Sequence, residues 1–368
     1  MPLKILMTAD AVGGVWRYSI DLVEGLVAEG AEVLLATMGP PPSEEQKRQV
    51  AAIPNVTLAE SDYALEWMPN PWADVDAAGK WLLSLAEDFA ADVIHLNGYA
   101  HAVLPWRRPV VVVAHSCVFS WWRAVHRCAP GAEWDEYRRR VLEGLAAAGM
   151  VVAPSSAMAR ATATEYGLPS EKIRVVHNFS SSDTPQRATK ETFFLAAGRV
   201  WDQAKNIAML QQIAPRLNWE MRVSGSDRGP ENSIAAVKSV RFLGMLPYAG
   251  LLEQMAHASV FVHPSLYEPF GLSVLEAARR NCCLVLSDIP SLRELWEGAA
   301  IFVDPRNPDR WISELNSLTN DPERRQALGE RACSHAARYS GRVAISEYRQ
   351  VYESALSSRH RPGNEAAA

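Results

Sequence analysis

Two glutamates set the chemistry that this sequence offers. Glu268 and Glu276 stand eight residues apart in His263-Pro264-Ser265-Leu266-Tyr267-Glu268-Pro269-Phe270-Gly271-Leu272-Ser273-Val274-Leu275-Glu276-Ala277. Pro269 biases Glu268 toward extended backbone, and Gly271 lets main chain approach a ligand closely where a helix would begin. Residues four apart share a helix face, so Glu276 sits above Leu272 and looks back toward the loop. Free amides at a helix start favour an anion, and carboxylates accept from sugar hydroxyls. Phosphate together with several hydroxyls describes a nucleotide sugar. The plainer reading, of equal weight on spacing alone, ends a strand at Glu268 and leaves Glu276 as a solvated helix residue.

Other residues extend the set. Gly198-Arg199 and Lys205-Asn206 put two cations on one strand-to-helix loop, suited to a diphosphate or simply to solvent. His95 stands near the carboxyl end of the strand read over Asp92–Leu96, and His115 directly follows the apolar run Val110–Ala114, so both fall at the strand edge where open α/β sheets bind ligands; a hydrogen-bonded structural histidine is the alternative for each. Gly13-Gly14 follows the first strand, where backbone can approach phosphate, although a tight turn explains the pair equally well. The loop is not GxGxxG and no acidic residue ends the second strand, Val33–Thr37, which counts against a nicotinamide dehydrogenase.

The elements that must position these residues read as alternating strands and helices. Lys4–Ala9, Val15–Glu29 and Glu32–Thr37 open a βαβ unit, and Val151–Ser155, Ala157–Tyr166 and Ile173–His177 close the first series. Ser180-Ser181-Ser182-Asp183-Thr184-Pro185 lacks apolar periodicity and reads as the linker. A second series follows: Thr192–Ala197, helix Ile207–Leu217, Glu220–Ser224, Ala258–Val262, Cys283–Ser287, Ala300–Val303, and a helical pattern from Asp309 to about Arg338. We therefore expect domains at 1–182 and 183–341, a helix over 342–360, and a frayed end from Gly363.

Asp74-Val75-Asp76 is formally a DxD, but it follows Pro71-Trp72-Ala73 rather than ending a strand, so capping and first-turn charge explain it and no metal is expected. The segment Phe119–Arg127, with Trp121, Trp122 and Arg123, mixes aromatic and cationic side chains. A packed helix is the first reading, an acceptor wall the second, and contact with anionic lipid the third.

Bulk properties agree with a two-domain globular protein. The 368 residues are 48% hydrophobic with a net charge of -5, which gives no general attraction to nucleic acid. The apolar start is too short for a signal peptide and no stretch reads as membrane-spanning. Five cysteines without CxxC or metal spacing fit buried free thiols and a cytoplasmic location.

Taken together, Glu268-Pro-Phe-Gly-Leu through Glu276, Gly198-Arg199 with Lys205-Asn206, Phe242-Leu243-Gly244, Leu286-Ser287-Asp288-Ile289-Pro290 and Phe302-Val303-Asp304-Pro305 resemble the retaining glycosyltransferases of family 4. The resemblance is strongest over about residues 190 to 340. It implies the GT-B architecture: two Rossmann-like, doubly wound parallel-sheet domains facing across a cleft, the last helix returning to the first domain. It further implies a retaining hexosyltransferase that moves sugar from a nucleoside-diphosphate sugar to a small-molecule, glycan or glycolipid hydroxyl, without metal or other cofactor. A nucleotide-sugar epimerase, a phosphorylase-like enzyme and a catalytically silent nucleotide-sugar-binding protein are the rivals. Oligomeric state, donor and acceptor are left open.

By the same resemblance, His115, Arg199, Lys205 and Glu268 act at the reacting centre. Arg199 and Lys205 take the diphosphate, Glu268 grips sugar hydroxyls, and His115 positions the sugar. The donor further meets Gly13, Gly14, Gly225, Phe270, Gly271, Leu272 and, at the ribose, Glu276, with Met245 and Leu246 bordering the base. His95 matches a less constant position in the cleft. Together with Trp16, Arg17, Trp121, Trp122 and Arg123, it is expected toward the acceptor.

Overall fold

A computed structural model describes residues 2–181, 188–229 and 233–358. The chain divides into two compact units. The first comprises Met1–Ser120, Ala129–Phe179 and Gly341–Ala368; the second comprises Trp121–Cys128 and Ser180–Ser340. The linker expected at 180–185 falls largely outside the described residues, as does the tail from Gly363.

In the first unit the strands are β1 (Lys4–Asp10), β2 (Glu32–Met38), β3 (Val56–Glu60), β4 (Val93–Leu96), β5 (Val110–Val113), β6 (Met150–Ala153) and β7 (Ile173–Val175). They form one parallel sheet in the order β3-β2-β1-β4-β5-β6-β7. Helices α1 (Gly14–Ala28), α2 (Glu44–Ala51), α3 (Trp72–Asp88), α4 (Val118–His126), α5 (Asp135–Ala147) and α6 (Ser156–Tyr166) follow in chain order. The later part of α4 groups with the second unit. Continuous Val, Ile and Leu runs suit strands covered on both faces, and every residue of β4 and β5 is buried.

Local chemistry sets several boundaries. Ser43 and Gln46 form a reciprocal capping box that starts α2. Ser155 caps α6 through the Met158 amide, and Gly167 ends it in the left-handed conformation. Asp74 lies in the first turn of α3 without capping it; its Oδ2 accepts from the Ala64 amide at 3.0 Å. Asp76 instead pairs with Arg140.

The second unit contains α7 (Ile207–Ile213), α8 (Tyr248–His257), α9 (Leu272–Arg279), α10 (Pro290–Trp296), α11 (Pro308–Thr319) and α12 (Pro322–Ala336). Its strands are β8 (Glu191–Ala197), β9 (Glu220–Ser224), β10 (Arg241–Gly244), β11 (Ala258–His263), β12 (Cys283–Ser287) and β13 (Ile301–Val303). They form a second parallel sheet, β10-β9-β8-β11-β12-β13. The single helix read from Asp309 to Arg338 is two, because Pro322 can only open a new helix after the Asp321 cap. Pro215 likewise ends α7 early, in a 3-10 turn, Ala214–Arg216.

The last helix, α13 (Gly341–Ser358), belongs to the first unit and packs on α1. Gly25 makes that approach possible, since a Cβ there would overlap Ile345. All five cysteines are free, but burial is confined to Cys117, Cys282 and Cys283; Cys128 is exposed and Cys333 half-buried. No helix among the described residues is long and apolar enough to cross a membrane.

Candidate active site

Strand β11 is buried along its whole length and ends at His263, after which the chain turns through Pro264–Phe270 into α9. Gly271 makes the turn, with φ +87°. The Leu272 and Ser273 amides precede the first helical hydrogen bonds, which the Val274 and Leu275 amides make to the Gly271 carbonyl, and so have no intrahelical acceptor. Glu268 is anchored beside them. Its Oε2 accepts from Lys205 Nζ at 2.7 Å and from His263 Nε2 at 3.0 Å, and its carbonyl accepts from Ser291 Oγ. Burial by itself would push this carboxyl up. The Lys205 charge and the His263 hydrogen bond reverse the balance and hold it well below the usual carboxylate range. Glu268 is therefore a fixed anion.

Lys205 reaches it because the β8–α7 loop is clamped to the Glu268 loop. Asn206 adopts the left-handed conformation (φ 55°) and its Nδ2 donates to the carbonyls of Pro264 at 3.0 Å and Pro305 at 2.9 Å. The Leu266 amide donates to the Ala204 carbonyl at 2.8 Å. The two loops are thus neighbours in direct contact within the second unit. Arg199 Nη2 donates to Asp202 Oδ2 at 2.7 Å and lies over the Trp201 ring. Asp202 Oδ1 takes the Ala204 amide and the Trp121 indole N–H, at 3.0 and 3.1 Å. Both cations are accordingly paired with carboxylates within this loop system.

Glu276 is no solvated helix residue. It is 4% exposed, and its Oε1 accepts from Tyr248 Oη at 2.8 Å. Gly225 ends β9 with φ +150°, where a Cβ would overlap the Gly198 carbonyl oxygen, so strand ends β8 and β9 can close only over glycine. Met245 is exposed and Leu246 half-buried. Phe270 departs from its expected part: its ring is buried edge-on against Tyr339 in the core, which leaves only its main chain for a ligand.

In the first unit, Gly13 (φ +84°) and Gly14 form the start of α1 at the carboxyl end of β1. His115 follows β5, packs edge-on against Tyr18 at 4.4 Å between centroids, and lies 2.9 Å through Nε2 from Asn97 Oδ1. Burial, with His95 nearby, pushes its pKa down to about 3. His95 does not meet the expectation of an acceptor contact: it is fully buried, Nδ1 lies 2.8 Å from Tyr352 Oη, and Nε2 lies 3.2 Å from Asn97 Oδ1. Trp16 is also taken into packing, with its indole N–H on Gln49, and Arg17 is held bidentate by buried Asp21. Trp121, Trp122 and His126 pack ring on ring. Arg123 on the same helix is exposed.

Sequence reasoning gave no part of its own to His263, Asp202, Tyr248 and Asn97, nor to Asn206 beyond its place in the Gly-Arg…Lys-Asn pattern. A signal existed for three of them: His263 ends the strand carrying the glutamate loop, Asn206 adjoins Lys205, and Asn97 stands two residues after His95.

Two family models divide the chain between them. Glycosyltransferase Family 4 matches residues 12–181 and Glycosyl transferases group 1 matches residues 180–335. The O-antigen chain mannosyltransferase RfbU of Salmonella typhimurium is 27% identical over 44% of this chain, and the chain spans about half of that relative's length, 48%. The D-inositol 3-phosphate glycosyltransferase of Corynebacterium diphtheriae is 25% identical over 95% of this chain and 92% of its own. Among solved structures, Anabaena Alr3699/HepE in complex with UDP-glucose has the same fold, with a TM-score of 0.75 at 16% identity over 97% of this chain and 100% of the other. Two parallel-sheet α/β units of the GT-B kind carry these matches, and the chain belongs to the group 1 glycosyltransferases of family 4.

Proposed function

We propose that this glycosyltransferase is a retaining hexosyltransferase that uses a nucleoside-diphosphate sugar and needs no metal. One observation carries the reading: Glu268, fixed as an anion by Lys205 and His263, lies on the same β11–α9 turn as the free helix amides and buried Glu276. Glu268 Oε1 and Glu276 accept from hydroxyls of sugar and ribose. The amides at Gly271 and Leu272 take phosphate. Lys205 and Arg199, released in part from their carboxylates, balance the charge that grows on the departing diphosphate, the task a divalent cation performs elsewhere. A solved protein of the same fold binds UDP-glucose, which supports a donor of this kind.

Retention here follows from attack on the same face as departure, with the leaving phosphate oxygen taking the acceptor proton. Glu268 serves as a grip, because a carboxylate paired with lysine and histidine is a poor nucleophile. Within the first unit taken by itself, His115 is proposed to accept from a sugar hydroxyl and Gly13-Gly14 to approach a phosphate. The tests are direct. Thermal shift against UDP, GDP, ADP, TDP and their sugar conjugates, with and without EDTA, should give stabilisation by one nucleotide family that EDTA leaves in place and Glu276→Gln removes. NMR of the product linkage should show the donor's anomeric configuration. An inverted product, or no shift with any nucleotide, would overturn the reading.

A further inference from the structure

The first unit holds a polar network that the proposed chemistry has not yet used. Asn97 follows β4, and its Nδ2 donates to the Thr8 carbonyl at 2.6 Å and to Ser19 Oγ at 3.2 Å. A carbonyl oxygen only accepts, so the amide nitrogen must face Thr8, and Oδ1 must face the other way. There it meets two imidazoles: His115 Nε2 at 2.9 Å and His95 Nε2 at 3.2 Å. An oxygen without hydrogen can bond both rings only if both Nε2 atoms are protonated. The Asn97 backbone is itself held, its amide donating to Thr8 Oγ1 at 2.9 Å.

His95 is fixed a second time from α13. Its Nδ1 lies 2.8 Å from Tyr352 Oη, and a neutral ring with hydrogen on Nε2 must accept there. Tyr18 donates to Tyr348 at 2.6 Å beside them, closing the wall around His115. His115 is neutral in this setting, because burial opposes its charge. Its Nδ1 therefore carries a lone pair, and it has no partner among the described residues although His115 keeps exposed surface.

We propose that Asn97 is a positioning residue for sugar transfer: it locks His115 in the Nε2–H tautomer, so that Nδ1 is presented as an acceptor for a substrate hydroxyl. The ring in this state can neither bind phosphate as a cation nor donate to a carbonyl through Nδ1. Its ligand is an alcohol, a sugar hydroxyl above all. The assignment of a ligand rests on the role proposed above for His115; the tautomer lock does not.

The experiment uses the full chain labelled with 15N-histidine and long-range 1H–15N correlation, with no ligand added. His115→Gln and His95→Gln spectra assign the rings. His115 should show a protonated Nε2 and a bare Nδ1 across neutral pH, unchanged in Tyr352→Phe. Asn97→Leu should release it into a mixture of tautomers. A His115 protonated on Nδ1, or a tautomer indifferent to Asn97→Leu, overturns the lock. Should the leucine variant fail to fold, Asn97→Asp keeps an acceptor while adding charge, and the His115 pKa should rise toward the ordinary histidine value; an unmoved pKa likewise overturns it.

With the donor that the nucleotide screen selects, Asn97→Leu should lower kcat about tenfold, the worth of one oriented hydrogen bond. In a His115→Ala background the same change should cost nothing further. An equal loss in both backgrounds makes Asn97 merely structural and refutes positioning. Full turnover in His115→Ala alone refutes the role of His115 and with it the ligand assignment, while the spectra would still stand for the lock.

Discussion

Removing Lys205 should reverse the ionisation of Glu268, and the cost can be worked from the pair. At 2.7 Å, with an effective dielectric of about 20, the attraction is roughly 6 kcal/mol before desolvation is subtracted. Both side chains are largely withdrawn from water, at 17% and 12% exposure, so desolvation cancels much of it. Lys205→Met should then cost about 2 to 3 kcal/mol, somewhat less than for a fully buried pair. For the second unit that is a fall in Tm of about 4 to 12 °C. Glu268→Gln should cost about 2 kcal/mol, since His263 and Lys205 retain an acceptor oxygen but Lys205 loses its counter-charge. In the double variant no buried charge is stranded, and it should be no less stable than the worse single one. The sign with pH supplies a second check. In the wild type the Glu268 carboxyl lies below its unfolded value, so its contribution is present above about pH 4.5 and lost in acid. In Lys205→Met burial dominates, the carboxyl rises above that value, and the folded state takes up the proton first. The deficit should therefore shrink between about pH 7 and pH 5. Urea unfolding followed at both pH values reads both effects. Additive costs in the double variant, within about 0.5 kcal/mol, would show that the pair is not coupled and that the site is not built as described.

Three further outcomes follow from the same physics. Burial holds His95 down to about 4 and His115 to about 3, against an ordinary 6.5, so the folded first unit refuses protons that the unfolded chain accepts. Its stability should be complete above about pH 6.5 and fall by up to about 1.4 kcal/mol per pH unit for each ring as the pH drops toward those values; a flat profile between about pH 6.5 and 5 would contradict it. Gly225→Ala sets a Cβ into the Gly198 carbonyl at φ +150° and should prevent accumulation of soluble protein, whereas Gly271→Ala, at φ +87° with side-chain neighbours no closer than 3.1 Å, should fold at a cost of about 1 to 2 kcal/mol, as expression and calorimetry would show. Ala substitution at Asn206 strips both loop carbonyls of their donor and should lower turnover even though Lys205 and Glu268 remain, and wild-type kinetics would refute the clamp.

How much of this was legible in the sequence depends on the length scale of each signal. Buried parallel strands announce themselves, because a run such as Val110–Val113 has no polar face to offer; β3, by contrast, is an edge strand of mixed exposure and left no pattern to read. The glutamate turn was legible too, since proline, glycine and two carboxylates at a fixed spacing constrain backbone and chemistry together. What the sequence withheld were partners distant along the chain. Glu276 reads as solvated until Tyr248, twenty-eight residues away, is brought against it. His95 reads as a ligand-facing group until Tyr352, 257 residues away, closes over it. A strand end places a histidine at the ligand-binding edge of a sheet but does not decide whether the ring faces substrate or core. Here His115 has the opening and His95 the burial, and Asn97 joins them through one oxygen. By covering His95, helix α13 takes that ring into the core, while His115 keeps exposed surface at the same sheet edge.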